Sequence, residues 1–429
     1  MNPKIIKNSI LNEKYYFMKH PSGLNIYVYP KYHYQSSYAI FGTNFGSINN
    51  KFKVSNQSSY TCVPDGIAHY LEHKLFESPE GDAFSLFSKT GASANAYTSF
   101  EKTAYLFSCA KNFEASLEIL VNLVQSPYFT EENVEKERGI ISQEIKMYED
   151  SPNWKVFINL LGALYHNNTV KIDIAGSTES ISKITPKMLY DCYNAFYNLS
   201  NMCICVAGNV NPDNVFEVID KKLKYSKPVK IERFFPEEPA HVSKNEIIEK
   251  FDIEGSIFNL GFKEYVDPGE ICSIEKLVYN DLILNCISSP SSELYSDLLK
   301  NELINSSSFS TEYLEGPGYA SVIFAGESKN PQKASEIIKS HIQKIHQTGI
   351  DELAFERAKK CVYGKSVAIF DNIKSIANLQ LDFDLSGKEV FEYINLLQDA
   401  TIFKANEHLK YKLNCNNAAL SVAASKNGK

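Results

Sequence analysis

Two early runs, Leu24–Tyr29 (LNIYVY) and Ser37–Phe45 (SYAIFGTNF), are rich in β-branched and aromatic residues and bounded by Gly23, Pro30 and Gly46, and these predict strands. A helix follows, opened by Pro64 and Asp65 and closed by Ser78-Pro79. A second short helix is expected over Gly81–Lys89. Ala92–Phe100 (ASANAYTSF) and Thr103–Ser108 (TAYLFS) predict two antiparallel strands that turn at Glu101-Lys102. Asn112–Gln125 is amphipathic and stops at Ser126-Pro127. The next helix has a well-specified start: Thr130 as cap, Glu131 and Glu132 in the first turn, and Phe129 placed to staple against Val134. Helices over Asn153–His166 and Lys187–Asn198 follow, then a strand over Asn201–Gly208.

Lys227–Ser243 carries three prolines and a dense run of charges, and predicts a linker that divides the chain into domains 1–226 and 244–429. The second half repeats the pattern of the first. Phe309–Glu327 echoes the strand pair at Ala94–Ala110, and Asp351–Phe370 echoes the long helix from Thr130. An offset near 221 sets Ala358 opposite Glu137 and Lys365 opposite Glu144. The expected fold class is therefore α+β, two homologous domains, each a mainly antiparallel sheet with helices packed on one face.

A chain of 429 residues exceeds what one hydrophobic core organises, and at 44% hydrophobic it can bury two. The net charge of −7, with no basic run, argues against a nucleic-acid partner. The first twenty residues lack the continuous apolar stretch of a signal peptide, and no segment approaches the ~20 apolar residues of a membrane span. Nine cysteines, an odd number without a C-x-x-C pair, fit a reduced, cytoplasmic protein.

Chemistry concentrates in Gly66–Phe76 (GIAHYLEHKLF). On a helix, His69 and His73 project one turn apart from one face, with Glu72 beside them. Two imidazoles as ligands and a carboxylate that takes a water's proton suit a divalent metal with an open position, and H-x-x-E-H inverts the common zinc-protease helix motif. A third ligand is expected downstream. Glu137 and Glu144 share one face of the long helix, about 20° apart around its axis and roughly 10 Å apart along it. Either completes a metal site, or both belong to a solvated acidic face, since Glu131, Glu132, Glu135 and Glu149 make this helix acid-rich throughout. Asn95, Ala96 and Thr98 are small and polar for a strand and suit a sheet edge. Such an edge is kept polar against aggregation, or it accepts an extended peptide as an added strand.

HYLEH, GASANAYTSFEKTAYLF, EKERGIISQEI and the stretch from His166 to Val210 together resemble the pitrilysin or insulinase family of zinc peptidases, over almost the whole chain. In length it is similar to the half-length bacterial members, including the zinc-carrying subunits of two-subunit processing proteases. The resemblance implies His69, His73 and Glu144 as ligands of one zinc ion, Glu72 as general base, and Glu137 as an acidic support behind the ligands. It implies Asn95 and Ala96 on a strand that pairs with substrate backbone. Because the spacing from His73 is shorter than in many relatives, Glu149 stays as an alternative to Glu144.

Full-function relatives carry an arginine and a tyrosine in the second half that bind the scissile carbonyl. The matching stretch here, Leu294–Phe309, has no arginine, and Tyr295 and Lys300 are not at the expected places. The counterpart of the His69 helix, between Leu277 and Ile304, has no histidine. The expected function is a zinc endopeptidase, or the catalytic subunit of a two-subunit one, cleaving unfolded or leader peptides. Its expected partner is a second copy or a homologous subunit that supplies the arginine and tyrosine. A non-catalytic scaffold or recognition subunit is the alternative. A carboxylate-bridged di-iron oxidoreductase is disfavoured, because no Glu-x-x-His pair involves Glu137 or Glu144.

Overall fold

The strands predicted in the first half belong to a seven-stranded sheet in a computed structural model of the protein, which describes residues 3–55, 57–79, 81–224 and 227–426. From one edge to the other the strands are Lys4–Asn8, Glu13–Lys19, Asn25–Pro30, Met202–Gly208, Ser37–Thr43, Thr103–Cys109 and Ser93–Thr98. Only the pair Asn25–Pro30 with Met202–Gly208 is parallel. A second, five-stranded sheet runs Glu246–Phe251, Ala418–Ser425, Ser256–Glu264, Tyr319–Ser328 and Ser310–Gly316, again with one parallel pair, at the same place when counted from the Ser310–Gly316 edge and, in the first sheet, from the Ser93–Thr98 edge. A shift of 221 positions carries Asn25–Pro30 onto Glu246–Phe251 (246 − 25) and helix Pro152–Leu164 onto helix Ile373–Leu385 (373 − 152).

Both sheets are mainly antiparallel and carry most of their helices on one face. In the first, Ile26, Val28, Ala39, Phe41, Ile204, Val206 and Phe107 meet Leu117, Leu120 and Val121 of helix Phe113–Val124 and Ile67 and Leu71 of helix Ile67–Leu75. In the second, Phe258, Leu260, Phe262, Val322 and Phe324 meet Val278, Leu282, Ile338 and Ile342. Strands Ser37–Thr43 and Met202–Gly208 are buried at every position, so their other face needs a cover too.

That cover comes from far along the chain. One compact unit comprises Met1–Ile145, Asp173–Phe234 and Val367–Phe391; the other comprises Lys146–Ile172, Phe235–Ser366 and Glu392–Lys429. The units are thus built from interleaved stretches, not contiguous halves. In the first unit, helix Ile373–Leu385 lies on strands Ser37–Thr43 and Met202–Gly208. Its polar groups answer those of the sheet: Tyr27 donates to Asp384 at 2.7 Å, Asn25 to Asp384 at 2.8 Å, and Asn378 to the Tyr38 oxygen at 2.9 Å. In the second unit, helix Pro152–Leu164 lies on Ala418–Ser425 and Ser256–Glu264.

The stretch expected as a linker is folded instead. Ile231–Arg233 pairs as a strand with Lys51–Val54, and Glu238 and Val242 are buried. Glu238 accepts the backbone N–H groups of His166, Asn167 and Asn168 and the Lys263 ammonium, so its charge is satisfied indoors. Tyr225 and Ser226, at the expected boundary, lie outside the described residues. All nine cysteines are free. Among the described residues, no helix is long and apolar enough to cross a membrane.

Candidate metal centre

Helix Ile67–Leu75 begins at Gly66, whose φ of +88° and whose approach to the Ala175 carbonyl exclude a side chain; a Cβ there would lie 2.3 Å from that oxygen. The helix is sunk into the first unit's core by Ile67, Ala68, Tyr70, Leu71 and Leu75. Tyr70 also donates its hydroxyl to the Val134 carbonyl of the long helix Glu131–Glu149. That helix faces the core with Val134, Glu137, Ile141 and Ile145. The two helices are thereby locked at the positions that carry the candidate ligands.

His69, His73 and Glu144 come together, with one ligand atom from each lying within 4.8 Å of the others, and no other such group of histidine, cysteine or carboxylate side chains occurs among the described residues. His69 Nε2 stands 3.7 Å from Glu144 Oε1, and His73 Nε2 stands 3.4 Å from Glu144 Oε2. Two ligands at about 2.0–2.2 Å from a tetrahedral zinc are about 3.3–3.6 Å apart. The observed separations, long for hydrogen bonds, match that, and two imidazoles with one carboxylate are a donor set zinc accepts. Glu149, five residues beyond Glu144, is exposed and outside the group.

Glu137 is 7% exposed and reaches His73 Nδ1 with Oε1 at 3.0 Å. A carboxylate on the far ring nitrogen orients the imidazole and aims Nε2 at the ligand position. Behind it sits Lys74, fully buried, with Nζ 3.9 Å from Glu137 Oε2 and paired to Glu77, which in turn meets Lys136 at 3.3 Å. Lys74 was not singled out by its sequence, because a lysine on a helix next to glutamates usually faces water. His69 has no orienting partner of this kind among the described residues, and its Nδ1 is buried without one.

Glu72 is 8% exposed, and its carboxylate accepts a 2.6 Å hydrogen bond from the Thr98 hydroxyl. Burial pushes its pKa up to about 7, against the opposing pull of Thr98 and of His73. Burial and the neighbouring His73 charge lower His69, to about 4. Burial also works against a charged His73, but its hydrogen bond to Glu137 and the nearby charges of Glu144 and Glu72 outweigh this and raise it to about 10.

Strand Ser93–Thr98 is the edge of the sheet and pairs only with Thr103–Cys109, in the register Thr98↔Thr103 and Asn95↔Leu106. Asn95 is exposed and folds its amide oxygen onto the Ala96 N–H at 2.9 Å. Ala96 is partly buried and packs on the core. Thr98 spends its hydroxyl on Glu72, a role its sequence did not suggest. In the second unit the position of Glu137 is held by buried Ala358 and that of Glu144 by exposed Lys365. Tyr295 packs near Phe309 and Lys300 is exposed at the end of helix Glu293–Lys300.

Known proteins share this arrangement of chain and fold. Residues 63–178, which contain the whole donor set, match Insulinase (Peptidase family M16), and residues 183–361 match the Peptidase M16 inactive domain. The zinc protease YmfH of Bacillus subtilis (strain 168) is 37% identical over 404 residues, covering 93% of this chain and 94% of its own. The mitochondrial-processing peptidase subunit beta of Bos taurus is 32% identical over 159 residues, 36% of this chain and 32% of that protein. An M16-like peptidase from Alicyclobacillus acidocaldarius superposes with a TM-score of 0.92 at 33% identity, over 99% of both chains. With a two-histidine, one-glutamate zinc-type site in the first unit, a second unit of the same topology without it, and a 37% identical zinc protease matched end to end, the chain belongs to the insulinase family of peptidases, family M16.

Proposed function

We propose that the protein is a zinc-dependent endopeptidase, acting on unfolded or leader peptides that bind as an added strand along Ser93–Thr98. One observation carries this reading: the buried carboxylate of Glu72 lies on the same helix face as the ligand group and is hydrogen-bonded to the sheet edge at Thr98. His69, His73 and Glu144 would hold the metal, with Glu137 orienting His73. Zinc, when bound, supplies a Lewis acid for the scissile carbonyl and eases deprotonation of water.

The chain's own groups do the rest. A peptide strand pairs with the open edge and displaces the Asn95 amide from the Ala96 N–H. Glu72 takes a proton from the attacking water as its oxygen bonds to the carbonyl carbon, and returns that proton to the leaving amine as the C–N bond breaks. The oxyanion is the step for which the Leu294–Phe309 stretch offers no arginine. A homologous partner chain that carries an arginine and a tyrosine would complete it.

The test combines metal content with peptide hydrolysis. Purified protein should hold about one zinc per chain, lost in His73→Ala. Glu72→Gln should keep the zinc and lose ~10²–10⁴ of the rate on an unstructured fluorogenic peptide. Equal zinc in wild type and His73→Ala would remove the site assignment. Adding the partner should raise the rate by roughly 10²–10³; full activity of this chain alone, unchanged by the partner, would overturn the partner part.

A further inference from the structure

Thr98 belongs to the edge strand, yet its side chain serves the helix beneath. Its Oγ1 lies 2.6 Å from Glu72 Oε2 and 3.3 Å from Thr103 Oγ1, and Thr103 Oγ1 lies 2.8 Å from the Phe45 carbonyl oxygen. Thr103 and Phe45 are both fully buried. Proton accounting fixes the direction of this row. A carbonyl only accepts, so the Thr103 proton goes to Phe45; the single Thr98 proton then goes to the Glu72 carboxylate. The register Thr98↔Thr103 holds the donor in place through the backbone ladder. Glu72 is thus gripped by one oxygen, and Oε1 remains for proton transfer.

We infer that Thr98 is a positioning residue: it holds Glu72 through Oε2, leaves Oε1 to face the attacking water, and ties the base's orientation to the strand on which peptide docks. The inference rests on the proposed endopeptidase function for its kinetic half and on geometry alone for the other. A base held in one rotamer by a charge-assisted hydrogen bond needs no reorientation at the moment of transfer. Because the grip comes from the docking strand, a peptide that flattens or shifts that strand also moves the base.

Thr98→Val removes the hydroxyl and keeps the shape; Thr98→Ser restores the hydroxyl. On the zinc-loaded protein, Thr98→Val should lower kcat roughly 10- to 100-fold with KM within about threefold and zinc content unchanged, and Thr98→Ser should recover most of the loss. A fall through KM alone would make Thr98 a substrate contact and overturn the inference. The second readout needs no activity. In urea unfolding of the metal-free protein, Thr98→Val and Glu72→Ala should each shift the unfolding constant, and the double variant should fall short of their product by about tenfold or more, the size of a hydrogen bond to a charged group. Effects that simply multiply would show that the two side chains are not coupled and would overturn the inference. If coupling is found but the wild type, with or without the partner, hydrolyses no peptide, the endopeptidase reading fails while the Thr98–Glu72 grip stands.

Discussion

Glu238 carries more of the fold than its surroundings in the sequence suggest. It is 7% exposed and receives three backbone N–H groups at 2.7–2.8 Å together with the Lys263 ammonium at 2.7 Å. Burial pushes its carboxyl pKa up, but Lys263 and the N–H donors win and hold it below the usual carboxylate range. A carboxylate depressed on folding contributes stability that is fully present above its unfolded value, about 4.3, and is lost as pH falls through the folded one. Glu238→Gln strands the buried Lys263 and should cost about 3–5 kcal/mol near pH 7. The gap to wild type should narrow below about pH 4, as protonation of wild-type Glu238 removes the same charge. Urea midpoints at neutral and acid pH check this, and a gap independent of pH would contradict it. The residue was not legible because its backbone donors lie some seventy positions upstream, and a charged, proline-rich run normally looks solvated. The H-x-x-E-H group was legible for the opposite reason: helical spacing alone brings His69, Glu72 and His73 to one face. Choosing Glu144 over Glu149 needed the family resemblance, and the hydroxyl of Thr98 met Glu72 only through tertiary structure.

Single strands and helices were readable locally, since the apolar run at Ser37–Phe45 and the cap at Thr130 are local signals. Which sheet a helix covers is not a local property. Helices Pro152–Leu164 and Ile373–Leu385 are amphipathic pieces that pack on a sheet, and nothing in either says which. Each meets a glycine. A Cβ on Gly42 would lie 2.8 Å from Leu381 Cδ1, and one on Gly261 would lie 2.8 Å from Leu164 Cδ1. The strands leave out a side chain where the covering helix presses a leucine. Gly42→Val and Gly261→Val should each destabilise by about 1–3 kcal/mol through overpacking. Pairing Gly42→Val with Leu381→Ala should recover part of that loss, because the truncated side chain makes room. Thermal unfolding of the single and double variants reads both effects; purely additive losses would place the strain elsewhere.

At the scale of the whole chain, neither sequence half contains everything its own sheet needs. A fragment of residues 1–226 lacks Ile373–Leu385, so Tyr27, Tyr29, Tyr38 and Ile40 on the far side of the first sheet stay uncovered. Such a fragment should bind an apolar dye and aggregate, and a peptide spanning 367–391 added in trans should suppress both. A monomeric, dye-silent 1–226 fragment would contradict this. The same arrangement sets a schedule during synthesis. The last strand of the first sheet ends at Gly208 and its covering helix begins at Ile373, 165 residues later (373 − 208). At roughly 5–20 residues per second, the ribosome leaves that face open for on the order of 10–30 seconds. The nascent chain therefore carries an exposed apolar sheet face through that interval, and the first unit, with its candidate metal centre, reaches its final form only after Leu385 has been made.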